Sequence, residues 1–458
     1  MSDQLNSRDD IEKAVRGHNA DYVEIRIDDT ASTRLVYRGQ ELEEIGRTQS
    51  FGGCARALVN GGWGFVSFNR PQDIRTRVEE AVAQARHVGT ETSVLAPVDP
   101  VIDVVPLDVA MDPRTITLAR KKEIFDSYNA RMLSVDGVTS TNIVYGDSHK
   151  RVTFASSEGS YIEQERIDVI SRLAAMARRN GDMQQSSMSL GALNDFSYVD
   201  TLDEAADTIA NRAVELLNAP YVEPGVYPVV LDPILAGVFC HEAFGHLSES
   251  DFVYENDRMK EIMVLGRKFG QKHLNIVDGA AVPGLRGSFK YDDEGTPAKK
   301  TDLIREGVLV GRLHSRETAA KMGEPPSGNA RAIDYRFPPI VRMTNTYIED
   351  GDATFEDLIG DIKLGVYARN WFGGTTSMEM FTFSAGEAFM IRDGKVAELL
   401  RPVKLTGNLF TTLENIDGIG RDLDFNQGGG CGKGGQMPLP VSNGSPHIRI
   451  QDCVVGER

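Results

Sequence analysis

The sequence predicts an α+β fold, with two smaller α/β modules in the first half of the chain and a mostly β domain after them. Three observations predict it. A helical pattern, a set of alternating segments and a second helical pattern follow one another twice in the first half. A proline-containing stretch at 89–113 separates the two copies and is expected to be a linker. After Pro224, strands, turns and glycines dominate, so we expect domains at 1–95, 96–222 and 223–458.

The first module begins with a short predicted helix at 9–19. Alternation of apolar and polar residues at 22–30 predicts a strand, and a strand-rich stretch runs on to Phe68. The glycines at 52–64 are expected to form turns or bulges. A helix that opens at Pro71 completes the module, because four apolar residues after it have helical spacing: Ile74, Val78, Val82 and Ala85.

The second module repeats this order of elements. Its first helix is predicted from Thr115 to Leu133, and alternating segments follow, among them 138–146 and 151–159. A helix from about Asp203 to Leu217 closes it. The two modules share little sequence, so the pattern gives only a weak indication of an internal repeat.

The third predicted domain contains the segment with the candidate catalytic and metal-binding residues. YPVVLDP at 227–233 is a predicted strand, after which Asp232 can cap a helix and Pro233 suits its first turn. That helix, ILAGVFCHEAFGH, is apolar until it reaches Cys240 and then becomes polar. The segments that follow predict a large β domain.

Composition excludes several classes of protein. The chain has 458 residues and a formal net charge of −17, with 41% hydrophobic residues, as is ordinary for a globular protein. Its basic residues form no stripe, so we expect no nucleic-acid partner. No apolar run approaches the roughly 18 residues of a membrane helix, and the polar N-terminus does not resemble a signal peptide. Four cysteines form no disulfide framework, so a cytoplasmic protein with reduced thiols is expected.

The helix contains His241, Glu242 and His246, a HExxxH pattern with one residue more than the HExxH motif of metalloproteases. Histidines four apart lie about 40° apart around a helix, whereas histidines five apart lie about 140° apart. One metal ion therefore requires a distortion. Either a π-bulge brings the two histidines together, with Gly245 supplying backbone freedom, or the helix ends near Gly245 and His246 approaches from a loop.

Two isolated histidines are more often surface residues than metal ligands. Here, however, a His-Glu pair emerges from a buried apolar helix and needs polar partners, which a metal ion and a water supply. A catalytic zinc site has three protein ligands and one open position. The glycine-rich segment at 428–436 offers Cys431 as the third, because a thiolate with two imidazoles suits zinc. A buried turn residue or a free thiol is the alternative interpretation of Cys431.

Other residues are weaker candidates for the metal site. Cys453 is the runner-up ligand, whereas Cys240 and Cys54 are expected to be core residues. Glu249 and Asp251 could be ligands or could orient a ligating histidine through a hydrogen bond. No role is assigned to the other histidines: His18, His87, His149, His273, His314 and His447.

HEAFGHLSESD at 241–251 resembles the HEAxGHxxExD motif of the TldD/PmbA family of metallopeptidases. Three further segments resemble motifs of that family, in the same order: DDEGTP at 292–297, RMTNTY at 342–347, and CGKGGQ at 431–436 followed by Pro438 and Pro440. The resemblance extends from about Tyr227 to Ile450. Residues 1–220 agree with the family only in organisation.

The resemblance implies a TldD-type, catalytic subunit whose metal is held by His241, His246 and Cys431, with Glu242 as the catalytic acid and base. It implies one divalent ion, expected to be zinc. It also implies a dimer, either with a related TldE/PmbA-type subunit that lacks the metal motif or with a second copy of the chain. The implied substrate is an unfolded or extended peptide, cleaved in peptide maturation or degradation inside a closed cavity; no membrane partner is implied.

Two other functions remain open. The chain could be a non-catalytic peptide-binding subunit of a peptidase heterodimer, although such subunits should lack the His-Glu-His set. It could also be a metal-dependent amidase that acts on small molecules. In the peptidase hypothesis, a metal makes water more acidic, and Glu242 passes the water's proton to the leaving amine.

Overall fold

The computed structural model describes residues 7–70, 73–88, 93–377 and 379–457. Pro71, where the sequence predicts the start of a helix, lies outside the described residues, as do 89–92 of the predicted linker. In the described parts the α-helices are α1 Arg8–Val15, α2 Ile74–Val88, α3 Leu118–Leu133, α4 Asp203–Leu216, α5 Pro233–Cys240, α6 Ser250–Glu255, α7 Asp257–Ile262, α8 Arg316–Met322, α9 Phe355–Ile359 and α10 Leu409–Glu414.

The strands of the first half are β1 Tyr22–Arg38, β2 Glu41–Val59, β3 Gly62–Phe68, β4 Ile102–Val105, β5 Val138–Ser156, β6 Tyr161–Arg179 and β7 Asp182–Leu193. Those of the second half are β8 Gly225–Leu231, β9 Ile276–Gly279, β10 Lys300–Arg305, β11 Val308–Leu309, β12 Ala330–Arg331, β13 Ile340–Val341, β14 Asn345–Ile348, β15 Leu364–Ser377, β16 Met380–Arg392, β17 Lys395–Leu400, β18 Val403–Asn408, β19 Ile416–Ile419, β20 Asp424–Asn426, β21 Gly430–Lys433, β22 Gln436–Pro440, β23 Ser442–Ser445 and β24 Ile448–Glu457.

The first half of the chain builds one sheet, in the order β3-β2-β1-β5-β6-β4, with β7 also paired to β6. The central pairing, β1 with β5, is antiparallel and runs from Glu24–Ser156 to Arg38–Asn142. It joins a strand of the first predicted module to a strand of the second. The segments predicted as strands at 138–146 and 151–159 are both parts of β5, which is one continuous strand.

Two sequence predictions for this half are wrong. The 89–113 stretch is more than a linker, because β4 within it pairs in parallel with β6. Gly52 and Gly53 lie inside β2 and make neither a turn nor a bulge. They permit close packing instead, since a Cβ atom at Gly52 would lie 2.4 Å from the Tyr335 ring and one at Gly53 would lie 2.6 Å from the Phe68 ring.

Alternation along β1 gives the sheet two different faces. Val23, Ile25 and Ile27 pack in a core with α1 and α2. On the opposite face Arg26 is buried and donates a hydrogen bond of 2.5 Å to the main-chain oxygen of Asp334. The polar face of the sheet therefore packs against the second half of the chain.

The second half contains a closed set of strands and an open sheet. β15, β8, β24, β18 and β16 are paired in that order, and β16 also pairs with β15, which closes the circle. A separate sheet has the order β11-β10-β9-β14-β23-β20. Helix α5 contacts strands of both sets, and Gly237 lets it approach β23, because a Cβ atom there would lie 3.0 Å from the nitrogen of Gly444. This confirms the α+β prediction with a β-rich C-terminal half.

No helix in the described ranges is long and apolar enough to cross a membrane.

Candidate metal centre

Helix α5 is fixed at its start by Asp232. Its carboxylate caps the helix by accepting a hydrogen bond of 2.9 Å from the Leu235 N–H, and it also accepts one of 3.1 Å from the Asn370 N–H on β15. Burial raises the pKa of Asp232 to about 6. The carboxylate thus ties the first turn of the helix to the neighbouring strand, as the sequence predicted for the cap.

At its other end α5 continues into a π-helical turn, His241–Gly245, in which the N–H of His246 donates to the carbonyl of His241. The wider turn brings residues five apart onto one side of the helix. The two imidazole rings lie with centroids 5.2 Å apart and planes at 82°. Of the two distortions that the spacing allowed, the structure confirms the π-bulge.

Gly245 is needed for a reason that the sequence did not reveal. Its φ of −57° is ordinary helical geometry, so the expectation of special backbone freedom there is wrong. A Cβ atom at this position would instead lie 2.0 Å from the Sδ atom of Met343, which is fully buried. The glycine therefore lets the RMTNTY segment pack directly against the π-helical turn.

Cys431 lies on β21 and meets the two histidines. Its Sγ atom is 3.4 Å from the Nε2 atom of His246, and one donor atom from each of His241, His246 and Cys431 lies within 4.8 Å of the others. His241 is buried, and its Nδ1 atom has no hydrogen-bond partner among the described residues. A buried imidazole nitrogen without a partner is costly, and a metal ion would satisfy it. The donor set of two imidazoles and a thiol fits zinc.

The charges of this group support the same interpretation. Burial opposes ionisation of the Cys431 thiol, but His241 and His246 outweigh it and lower the pKa of Cys431 to about 4. The pKa of His246 is raised well above its ordinary value, because Cys431 and Glu249 outweigh its burial. A thiolate is the form of cysteine that binds metals.

We expect the thiolate of Cys431 to persist in the metal-free protein as the pH falls from 9 towards about 4. Burial raises the pKa of Cys54 to about 11 and that of Cys453 to about 12, so these thiols should be neutral at pH 7. Ultraviolet absorbance of the thiolate, titrated in metal-free protein, measures this. The low-pH signal should vanish in Cys431→Ser, and a signal that survives in that variant would contradict the prediction.

Glu249 contacts His246 and Lys433. Its Oε2 atom lies 3.0 Å from the Nδ1 atom of His246 and 3.1 Å from the Nζ atom of Lys433. Burial disfavours its charge, but His246 and Lys433 outweigh this and lower its pKa. The carboxylate is therefore charged and can hold the histidine so that the other nitrogen, Nε2, faces Cys431.

Replacing Glu249 by glutamine should weaken zinc binding by about 10- to 100-fold, the usual effect of losing a partner of a ligating histidine. Asp251→Asn is the matched control, because Asp251 contacts Lys433 at 2.6 Å and, among the described residues, no histidine. Competition with a chelating dye measures both affinities. Equal zinc affinity in the two variants would show that Glu249 does not act through His246.

Residues of two sequence motifs, RMTNTY and HEAFGHLSESD, hold the hairpin β21–β22 in place. Arg342, from RMTNTY, is fully buried and donates to the carbonyl oxygen of Cys431 at 2.8 Å. Lys433, two residues after Cys431, bridges Glu249 and Asp251. Lys433 belongs to the CGK segment, but its role was not predicted from the sequence; its position two residues after a candidate ligand was the available signal.

Glu242 lies beside the histidines but is not one of the three donors. It lines a cavity of about 290 Å³ together with His246, Phe252, Thr376 and Lys433. The Oγ1 atom of Thr376 is buried and has no hydrogen-bond partner among the described residues, and nothing in the sequence singled it out. The cavity thus places a carboxylate, a cation and a free hydroxyl next to the candidate metal ligands.

The other cysteines and the DDEGTP segment lie elsewhere. Cys240 and Cys54 are buried core residues, as predicted, and Cys453 packs in the core within β24, outside the His-His-Cys group. DDEGTP contacts the N-terminal sheet: Glu294 lies 3.4 Å from the Arg56 guanidinium and accepts a hydrogen bond of 2.9 Å from the Arg316 N–H. That motif therefore joins the two halves of the chain.

Relatives at high coverage are metalloproteases by name. A metalloprotease of Synechocystis is 48% identical over 440 residues, which cover 95% of each chain. A zinc metalloprotease TldD homolog of Saccharolobus solfataricus is 32% identical over 322 residues, 70% of this chain and 72% of its own.

Solved structures show the same fold. TldE from Thermococcus kodakarensis superposes with a TM-score of 0.77 at 17% identity and covers 98% of both chains. A putative modulator of DNA gyrase from Thermotoga maritima has a TM-score of 0.78 at 18% identity and covers 95% of this chain and 96% of its own. At these identities the likeness is one of fold.

Family models account for most of the chain. Those of the PmbA/TldA metallopeptidases match domain 1 at residues 23–87, the central domain at 112–219 and the C-terminal domain at 224–457. With the named relatives, they confirm the resemblance seen in the motifs and the assignment to a family of peptidases. The chain belongs to the PmbA/TldA metallopeptidase family, the TldD/PmbA family that its motifs resemble.

Proposed function

We propose that the protein is a zinc-dependent peptidase in which His241, His246 and Cys431 hold one metal ion and Glu242 is the catalytic acid and base. One observation carries the proposal: donor atoms of three residues, two from a π-helical turn and one from a hairpin 185 residues further on, lie within 4.8 Å of one another. Three protein ligands leave a fourth position open, as in catalytic zinc sites.

The residues around this group suit hydrolysis of an amide. When bound, zinc supplies Lewis-acid chemistry: it makes a water more acidic and polarises a carbonyl group. Glu242 lines the cavity beside His246, where its carboxylate can take a proton from water and pass it to the leaving amine. Thr376 faces the same cavity and offers a free hydroxyl to a peptide main chain, whereas the ammonium group of Lys433 is already bound by Glu249, Asp251 and the carbonyl oxygen of Val341.

An extended peptide is the substrate that we propose. A protein that binds peptides by adding a strand to a sheet recognises mainly the main chain, so broad specificity for unfolded segments is expected. We further propose that the protein acts as a dimer, with a TldE/PmbA-type subunit or with a second copy. The sheet fold shared with TldE of Thermococcus kodakarensis is compatible with the first of these.

Two alternative functions make different use of the candidate metal site. A non-catalytic subunit would have no need of Glu242 or of a complete His-His-Cys group, and this chain has both. An amidase for small molecules would use the same site, so only substrates can separate it from a peptidase.

The test uses the purified full chain. We expect about one zinc per chain by elemental analysis, cleavage of extended fluorogenic peptides, and no comparable turnover of small amides. A chelator should abolish cleavage, and added zinc should restore it. Cleavage that survives complete removal of metal would refute the metallopeptidase proposal, and preferential turnover of small amides would favour the amidase.

A further inference from the structure

A second, larger cavity lies between the two halves of the chain. Its volume is about 770 Å³, within the range of ligand sites. The polar face of the N-terminal sheet contributes Lys150 and Arg166, and the second half contributes Phe289, Arg331 and Leu439. The cavity therefore has apolar walls and several cationic side chains.

Arg331 is a buried cation that forms no ion pair with the residues that the structure describes. Its Nη1 and Nη2 atoms donate to the carbonyl oxygens of Met343 at 2.6 Å and of Pro440 at 2.7 Å. No carboxylate of the described residues forms an ion pair with it, although only 4% of its surface is exposed. Burial, together with the neighbouring Arg166 and Arg342, lowers the pKa of Arg331 to about 9, because the opposing effect of Asp293 and Asp278 is smaller. A negatively charged group next to Arg331 would therefore stabilise its buried guanidinium group.

Arg166 is a second cation with an incomplete partner. Its Nη2 atom donates to the carbonyl oxygen of Arg286 at 2.5 Å and lies 3.7 Å from Asp168. Both oxygens of Asp168 are already bound by Arg286, at 2.8 and 2.9 Å. Arg286 thus takes the carboxylate that would otherwise neutralise Arg166.

The acidic residues of the cavity compensate these two arginines only in part: Asp293 favours the charge of both, yet the pKa of each arginine remains lowered. Glu165 is paired with Arg151, Asp334 with Arg336, and Asp293 accepts a hydrogen bond of 2.7 Å from the Ala332 N–H and lies 3.6 Å from Arg26. Asp292 accepts hydrogen bonds from main-chain N–H groups, and Asp108 is exposed. The cavity is left with two guanidinium groups whose remaining N–H groups can donate to a carboxylate.

The cavity and the metal centre share a wall. Leu439, which lines the cavity, is paired with Cys431 across the hairpin β21–β22. Arg331 reaches the same region, since it bonds the carbonyl of Met343, whose side chain packs on Gly245 of the π-helical turn. A peptide bound in the cavity would therefore lie one hairpin away from the candidate metal ligands.

We propose that this cavity binds a carboxylate of the peptide substrate through Arg166 and Arg331, so that the enzyme prefers peptides that carry a negative charge away from the cleaved bond. The inference rests on the proposed peptidase function and names its substrate class. Two sources supply this chemistry, an acidic side chain and the α-carboxylate at the end of a peptide.

Binding can be tested without turnover, in the zinc-loaded full chain with Glu242→Gln. Three labelled peptides of one neutral sequence are compared by fluorescence anisotropy: a C-terminal amide, a C-terminal free acid, and an amide with one internal glutamate. At least one charged peptide should bind at least about tenfold more tightly than the neutral amide, because it forms a buried charge pair. Whichever charged peptide gains affinity identifies the source of the carboxylate.

The higher affinity for the charged peptide should disappear when Arg166→Gln or Arg331→Gln is added to the Glu242→Gln chain. Arg166→Gln is the safer variant, because its side chain is partly exposed and gives up one hydrogen bond. Arg120→Gln, an exposed arginine on α3 paired with Glu123, removes an equal charge and should keep the advantage. Thermal melting and zinc content verify that each variant is folded and loaded.

Equal binding of the three peptides, absence of binding, or an advantage that survives both variants would overturn the proposal. Failure of the peptidase proposal looks different: the charged peptide would bind through both arginines, yet the unmodified enzyme would cleave none of the three.

Discussion

Replacing Cys431 by serine is expected to lower zinc affinity by more than about 100-fold, beyond the range for residues that only support a ligand. The thiol sits 3.4 Å from His246 Nε2, and its pKa of about 4 makes it a thiolate at neutral pH. A serine hydroxyl in its place would stay protonated and offer zinc a much weaker donor. Elemental analysis and competition with a chelating dye measure the loss.

Cys453→Ser is the matched control for this variant. Cys453 is also buried, but burial alone raises its pKa to about 12 and it lies outside the His-His-Cys group. It should therefore bind zinc as the unmodified chain does. If both serine variants bind zinc equally well, Cys431 is not a ligand and the proposed centre loses its third donor.

Replacing Glu242 by glutamine is expected to reduce peptide cleavage by about 10²- to 10⁴-fold while zinc content stays the same. The amide nearly preserves the shape of the side chain but cannot take a proton from water. Because Glu242 is not among the three donors, zinc should not depend on it. The measurement is kcat on an extended peptide, with zinc determined on the same sample.

Glu255→Gln controls for the loss of a negative charge nearby, since Glu255 is exposed at the end of α6. Its activity should match that of the unmodified chain. Full cleavage by Glu242→Gln would end the proposed mechanism, and loss of zinc from that variant would show that Glu242 binds the metal instead.

The sequence contained enough to predict that the helix is distorted between His241 and His246. A spacing of five between His241 and His246 cannot serve one ion on a regular helix, so a distortion followed from helix geometry alone. Choosing Cys431 required only donor chemistry and the glycines around it. Both arguments concern neighbouring residues or known preferences of a metal, and neither needs the rest of the fold.

Features that depend on distant partners could not be predicted in this way. Gly245 faces Met343, almost a hundred residues away, and Gly52 faces Tyr335; a single sequence does not show such contacts. The pairing of β4 with β6 was missed because four residues bounded by prolines have a weak strand signal. Lys433 was overlooked because its role arises only when Glu249 and Asp251 are brought to it.

The pairing of β1 with β5 makes the first two family segments depend on each other. A chain begun after α2 would leave one edge of β5, the edge that pairs with β1 from Asn142 to Ser156, without hydrogen-bond partners, while its other edge stays paired with β6. Such a long open strand is a template for aggregation. It would also lack Arg56 and Arg26, which contact the second half through Glu294 and Asp334. Truncated forms are therefore expected to be insoluble, and the half that contains the candidate metal centre should be produced together with everything that precedes it.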